Sequence, residues 1–377
     1  MAWFSSSLGY IVPFLVVLTA LVFVHELGHY LCARRNGVRV QVFSIGFGPE
    51  IFGWNDRAGT RWKLSWIPLG GYIKMFGDAD AASAPSETLE AMSESERAVS
   101  FHHKRLMQRV EIVAAGPIAN FLFAIVLLAA FFVAVGERFT PPEVEKVLPE
   151  SAAERAGIEP GDRFVIVDGK SVERFEDVQQ TVSLNAGTPI QVVVRRGNAD
   201  ITLMVTPTVE TVTDNFGNNH HFGRLGIYGK GPEYVRRDPF TAVVRAFKET
   251  WNLSAGTLTA LGQMIIGSRT TEELGGPIRI AQMSGEIAQG GLSHLITFMA
   301  VLSVNLGLIN LFPIPVLDGG HLLFYLAEAI RGKPLGQRAQ EYGFRVGLAL
   351  VLTLMVFATW NDLVNLRVIA FLKGLVT

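Results

Sequence analysis

Residues 8–24 contain no charged side chain, and the run ends directly in His25-Glu26-Leu27-Gly28-His29. An uncharged apolar stretch of this length is sufficient for a membrane-spanning helix. Ionisable groups at the end of such a helix are costly in hydrocarbon and mark functional sites. On a helix, residues four apart share one face, so both imidazoles can reach one ion while Glu26 lies beside them as a general base. A solvated or core His-x-x-x-His pair is the competing reading. The apolar run in front of the motif argues against it, because a bound metal would offset Glu26 and use both imidazoles.

Composition supports the membrane setting. Of 377 residues, 49% are hydrophobic and only 18% are charged, which suits a membrane protein with a soluble part. The net charge of −1 offers no nucleic-acid signal. The single cysteine, Cys32, excludes an internal disulfide and any site built on several thiolates, and it reads as packing. The first apolar run lacks a basic n-region and a small-residue cleavage site, so it reads as a retained helix and not a signal peptide.

The expected fold is a polytopic α-helical membrane protein. It has about four transmembrane helices, a cytoplasmic membrane-associated β-hairpin region and an inserted α+β domain. Residues 1–36 form the first helix with its motif. His25 lies about 17 residues beyond Leu8, roughly 25 Å into a core of roughly 30 Å, close to the far face. Residues 37–107 carry many Arg and Lys residues and are cytoplasmic by the positive-inside rule. Residues 40–49 and 61–75 read as short strands or hairpins, and residues 78–100 as a flexible surface loop. His102 and His103 read as interfacial residues, because no acidic residue is spaced to join them in a metal site.

Residues 108–138 form the second span. Gly116, Pro117 and Asn120 interrupt its apolar character, and Asn120 points to an inward face. Residues 139–210 change register to short strands and helices. Residues 211–292 read as a linker followed by amphipathic helices on the outer membrane surface. Residues 293–331 form the third span, broken by Pro313 and Pro315. Asp318 lies about 34 Å beyond Leu295 by helical rise. Entering from outside, it reaches the depth of His25 and His29 and becomes the candidate third ligand, with His321 as its rival. Residues 332–377 hold a basic cytoplasmic connection and the fourth span, which places both termini outside.

Several motifs recur together: His25-Glu26-Leu27-Gly28-His29, Gly46-Phe47-Gly48-Pro49, Pro68-Leu69-Gly70-Gly71-Tyr72, Ala115-Gly116-Pro117 with Asn120, and residues 310–320 from Asn310 to Gly320. In this order they resemble the site-2 protease family of intramembrane zinc metalloproteases, and within it the bacterial regulator-of-sigma-E proteases. Residues 139–210, with Ala153-Glu154-Arg155-Ala156-Gly157-Ile158 and Gly161-Asp162, resemble a bacterial PDZ domain. The resemblance implies one zinc ion held by His25, His29 and Asp318, with Glu26 catalytic. It implies substrate contacts at Asn310, Pro313 and Pro315 and at Gly70, Gly71 and Tyr72 of a membrane-facing hairpin. It also implies a bacterial inner-membrane location with a periplasmic PDZ domain. The expected partner is a single-pass membrane protein such as an anti-sigma factor, already trimmed by a site-1 protease. A single PDZ domain departs from close relatives with two in tandem.

Two other readings compete. A non-catalytic membrane PDZ scaffold would carry a structural zinc, but such sites use four ligands and three are apparent here. A metal transporter would show inverted repeats and further acidic residues in its spans, and neither is present.

Overall fold

Helix α1 (Ala2–Arg35) carries the apolar run and the histidine motif on one continuous helix and ends on Arg34 and Arg35, which complement its C-terminal dipole. The computed structural model describes residues 2–78, 91–213, 219–267 and 275–365. The chain divides into two compact units, residues 132–238 and the remainder.

In the larger unit, α3 (Leu106–Ala134) runs against α1. A Cβ at Gly28 would lie 2.3 Å from the Ala115 carbonyl oxygen, so only glycine permits this approach. Strands β1 (Val40–Asn55) and β2 (Arg61–Met75) form an antiparallel pair longer than the short strands expected. Each strand bends near the Phe47–Ile67 pairing. Residues 42–45 therefore pair on one side with residues 71–74 and on the other with residues 61–64. The hairpin is thus rolled into four strand segments. Gly46, Gly48 and Gly70 supply positive φ angles at the bends. Phe43, Ile73, Met75 and Phe101 are buried with Ala33, Ile112 and Val113, locking the roll onto α1 and α3. Phe43 stacks on Trp62 at 4.1 Å.

Part of the expected loop at 78–100 is ordered, which corrects that reading: α2 (Glu94–Val99) starts at Ser93, whose backbone N–H donates to Glu96. Residues 79–90 lie outside the described residues.

The remaining helices are α6 (Pro239–Ile265), α7 (Pro277–Gln289), α8 (Leu292–Asn310), α9 (Asp318–Arg331) and α10 (Gln337–Asn365). Among the described residues, four stretches are long and apolar enough to cross a membrane: Gly9–Arg35, Leu106–Ala134, Leu292–Asn310 and Arg338–Leu363. Helix α6 is not among them. It exposes Phe240, Phe247 and Trp251 on one side and buries Ala242, Ala246 and Thr250 on another, the pattern of an amphipathic helix. Buried Asp362 of α10 accepts from the backbone N–H groups of Gly276 and Arg279, satisfying orphan donors at the start of α7.

In the smaller unit, β5 (Arg163–Val167), β6 (Lys170–Ser171), β7 (Ile190–Arg196) and β8 (Ala199–Val205) form a sheet in the order β6-β5-β7-β8. Helices α4 (Ala152–Arg155) and α5 (Phe175–Leu184) belong to the same unit, whose core is built on Phe164, Val167, Val178 and Val192. The expected boundary near residue 210 is corrected. Strands β9 (Thr208–Thr213) and β10 (Asn219–Arg224) pair with each other. Beyond them, β11 (Ile227–Gly229) pairs with β4 (Val144–Val147), and β12 (Glu233–Val235) pairs with β3 (Glu137–Phe139). The returning chain supplies backbone partners to the first two strands, so residues 219–235 are part of the unit and not a linker. Asp162 is fully buried and bound through both oxygens by Arg196 at 2.8 Å. Burial alone would raise its pKa, but Arg196 and the Glu159 N–H outweigh it and hold the carboxyl below its ordinary range.

Candidate metal centre and active site

His25 and His29 project from α1 one turn apart, and Asp318 is the first residue of α9. The break before α9 comes from Pro313 and Pro315, which cannot continue α8. Val316 then takes φ 95°, a conformation strained for a β-branched residue. Gly319 lets α9 start tightly against the end of α8, since a Cβ there would lie 2.2 Å from the Phe312 carbonyl oxygen. The turn thereby delivers Asp318 to the two histidines.

The three side chains converge. The Nε2 atoms of His25 and His29 face each other at 3.2 Å. Asp318 Oδ2 lies 3.2 Å from His25 Nε2, and Oδ1 lies 3.5 Å from His29 Nε2. One ligand atom from each residue falls within 4.8 Å of the others, and no other such cluster occurs among the described residues. Asp318 Oδ2 is buried without a hydrogen-bond partner, as expected of an oxygen built to meet a cation. His29 Nδ1 donates to the Ile112 carbonyl oxygen at 2.8 Å, which leaves Nε2 its lone pair. The ring fits because position 116 is glycine: a Cβ there would lie 2.2 Å from His29 Nε2.

Glu26 lies beside this set, 9% exposed, and accepts from the Ile73 backbone N–H. Strand β2 crosses closely over it. A Cβ at Gly71 would lie 2.6 Å from Val22 Cγ1 and 3.2 Å from Glu26 Cγ. A cavity of about 380 Å³ opens here. Glu26, Tyr72, Asn310 and His321 line it with the three clustered residues. A carboxylate next to the ligand set, and not within it, is placed to hold or move a proton.

The residue pattern and the geometry agree with the comparisons. The family model described as Peptidase family M50 matches residues 13–354. The chain belongs to peptidase family M50. A protein of Agrobacterium fabrum that carries a zinc-metalloprotease name is 50% identical over 363 residues, covering 95% of this chain and 96% of the relative. A Rhizobium meliloti protein with the same kind of name is 48% identical, covering 96% and 99%. Metalloprotease MmpA of Caulobacter vibrioides is 37% identical, covering 97% and 98%. Among solved structures, the PDZ domain of an SdrC-like protein from Listeria monocytogenes is 15% identical, with a TM-score of 0.19. It covers 24% of this chain and 88% of that one. Its Listeria innocua counterpart is 16% identical, with a TM-score of 0.20, covering 26% and 99%.

Family M50 is zinc-dependent, and the donors fit zinc: two imidazole nitrogens and one carboxylate, the ligand count of a catalytic site. When bound, zinc supplies Lewis acidity toward water and a peptide carbonyl.

The other expected site residues divide. Gly70, Gly71, Tyr72 and Asn310 line the cavity. Pro313 and Pro315 lie in the turn between α8 and α9, and Pro315 packs against α10, where a Cβ at Gly347 would lie 1.9 Å from its carbonyl oxygen. His321 lines the cavity, and its ring is 5.3 Å from that of Phe344, outside the ligand cluster. His102 does find an acidic partner, Asp78 at 3.0 Å, brought near by the return of β2 and not by sequence spacing. The sequence reading missed the Ile112 carbonyl and the fit of Gly116 against His29. The glycine pair at 28 and 116, one in each of two spans, was the available signal.

Proposed function

We propose that this metalloprotease is a site-2-type endopeptidase that hydrolyses a peptide bond within or beside a transmembrane segment. The observation that carries the reading is the position of the His25, His29 and Asp318 cluster. His25 and His29 lie within the membrane-length helix Gly9–Arg35 and Asp318 just beyond Leu292–Asn310, with Glu26 at their side and a cavity in front. In this reading Glu26 takes the proton of the attacking water and returns it to the leaving amine. A helical substrate must unwind to expose a carbonyl, and unpaired backbone is costly in lipid. No described strand pairs with the outer edge of residues 70–72, and Gly70, Gly71 and Tyr72 line the cavity. That edge can pair with the unwound segment as an added strand. Asn310 also lines the cavity.

The proposed substrate is a single-pass membrane protein already trimmed on its outer side, of the anti-sigma-factor kind. The proposed location is the bacterial inner membrane, with the site near the cytoplasmic face and the 132–238 unit, of PDZ type, outside. The alternative is a membrane PDZ scaffold with a structural zinc. Three ligands and an open cavity favour catalysis over it. Purified protein reconstituted with a tagged single-pass substrate tests the reading. Cleavage should stop on chelation, return with zinc, and be lost in Glu26→Gln while zinc stays bound. Cleavage at the wild-type rate by Glu26→Gln would overturn it.

A further inference from the structure

Asn120 of α3 is fully buried and belongs to no ligand set. Its Nδ2 lies 3.1 Å from His25 Nδ1, while its Oδ1 is buried without a partner. Its backbone is held in place. Ser303 Oγ of α8 donates to the Asn120 carbonyl oxygen at 2.8 Å, and α8 packs so closely that a Cβ at Gly307 would lie 3.3 Å from the Asn120 Cβ. The side chain can do little there except turn its amide end over.

The two histidines are set differently. His29 Nδ1 faces a backbone carbonyl, which only accepts, so its Nε2 lone pair is fixed. His25 Nδ1 faces a side-chain amide, which can present either a donor or an acceptor. With Nδ2 forward, His25 Nδ1 accepts and Nε2 carries the hydrogen. That N–H then faces Asp318 Oδ2 at 3.2 Å and His29 Nε2 at 3.2 Å, which leaves Nε2 unable to ligate and Asn120 Oδ1 without a partner. With Oδ1 forward, Nδ1–H donates to the amide, Nε2 has its lone pair, and the buried oxygen that otherwise lacks a partner gains one.

We propose that Asn120 is a positioning residue whose amide turns Oδ1 to His25 Nδ1–H, holding His25 Nε2 ready for zinc. Amide orientation and metal occupancy are thereby linked: one orientation puts the hydrogen on His25 Nε2, the other leaves that nitrogen its lone pair for metal. This inference rests on the zinc reading of the site.

The test compares Asn120→Leu, of similar shape but with no acceptor, with Asn120→Asp, which offers only acceptors. Both are made in the full-length Glu26→Gln protein. Zinc affinity is measured by chelator competition, folding by thermal melting, and site geometry by the absorption spectrum of the cobalt-substituted protein. Asn120→Leu should bind zinc about 10–100-fold more weakly, the loss typical when the partner of a ligating histidine is removed, while the melting temperature of the metal-free protein stays unchanged. Asn120→Asp should stay within about threefold of the parent and keep its cobalt spectrum. A purely structural role predicts the reverse order, since a buried charge disturbs packing more than leucine does. Wild-type zinc affinity in Asn120→Leu overturns the inference, as does an equal loss in both variants. If Asn120→Asp does not fold, the Leu variant decides by itself. His29→Ala is the control. If removing that ligand leaves zinc affinity unchanged, the zinc reading fails and this inference with it. If His29→Ala loses zinc and Asn120→Leu does not, only this inference fails.

Discussion

Gly116→Ala should empty the metal centre without touching a ligand. The new Cβ would lie 2.2 Å from His29 Nε2, 2.5 Å from Cε1 and 2.8 Å from Cδ2. An ordinary contact begins at 3.4 Å, so the ring must retreat by about 1.2 Å (3.4 − 2.2) or the helices must part by as much. The ring cannot retreat freely, because its Nδ1 is bonded to the Ile112 carbonyl at 2.8 Å on the same helix that carries position 116. Either movement takes Nε2 off the point where the His25 and Asp318 atoms converge. Two terms oppose each other in stability. Overpacking costs about 1–3 kcal/mol, while alanine in place of a helical glycine returns about 1 kcal/mol. The net loss of about 0–2 kcal/mol leaves the protein folded. Zinc affinity, by contrast, should fall about 100-fold, the upper end of what disturbing a ligand's support costs. Chelator competition on detergent-purified protein reads the affinity, and thermal melting reads the fold. Wild-type zinc affinity in a folded Gly116→Ala protein would refute the argument.

Gly71→Ala should spare zinc binding but lower cleavage at least tenfold. Its Cβ meets Val22 Cγ1 at 2.6 Å and the Ser44 carbonyl oxygen at 2.8 Å, which forces β2 away from Glu26; zinc content and turnover measured on one preparation check it. Arg196→Met should destabilise the 132–238 unit by about 3–5 kcal/mol, because it leaves the buried Asp162 carboxylate unpaired. Urea titration with a probe in that unit reports the loss. Chelation should lower the melting temperature of wild type more than that of His29→Ala, because metal bound only to the folded state stabilises it; equal shifts would contradict the assignment. Excising residues 138–234 should leave zinc binding intact, since Glu137 and Val235 are paired across β3 and β12, roughly 5 Å apart, and a two-residue linker can join them. The excised protein should cut untrimmed substrate if that unit excludes bulky outer domains, and continued restriction to trimmed substrate would place the gate elsewhere.

How much of this was legible depends on which residues carry each feature. The His25–His29 spacing fixes a shared helix face, and counting helical rise to Asp318 estimates a depth, so the ligand set could be read in one dimension. The hydrogen bond from His29 to Ile112 could not, because every residue has a carbonyl and nothing in the side chains marks which one faces a partner helix. The rolled hairpin was half legible: Gly46, Gly48 and Gly70 signal bends, but not that residues 42–45 pair on both sides. The strands at 227–229 and 233–235 are three residues each, too short for an alternating pattern to emerge, and they exist only because β4 and β3 offer partners. Pro313 and Pro315 signal the break before α9, but not that the turn brings Pro315 against Gly347 of α10.

The metal centre also explains why the third span is broken where it is. Glu26, His29 and Asn120 are all buried, and the α1 and α3 spans around them are otherwise almost wholly apolar. Two ionised carboxylates, Glu26 and Asp318, would together place two negative charges in a region where a single charge is already costly. A divalent cation bound by neutral imidazoles brings that set to neutrality. To do so, one carboxylate must meet the ion and the other must stay beside it, which two residues on one helix face could not easily arrange. The break supplies the second approach. It ends α8 at Asn310 and restarts the chain as α9, so that Asp318 enters from the end of a helix while Glu26 remains on the side of α1. Strain at Val316 and the lost helical turn are therefore local costs set against a larger electrostatic one.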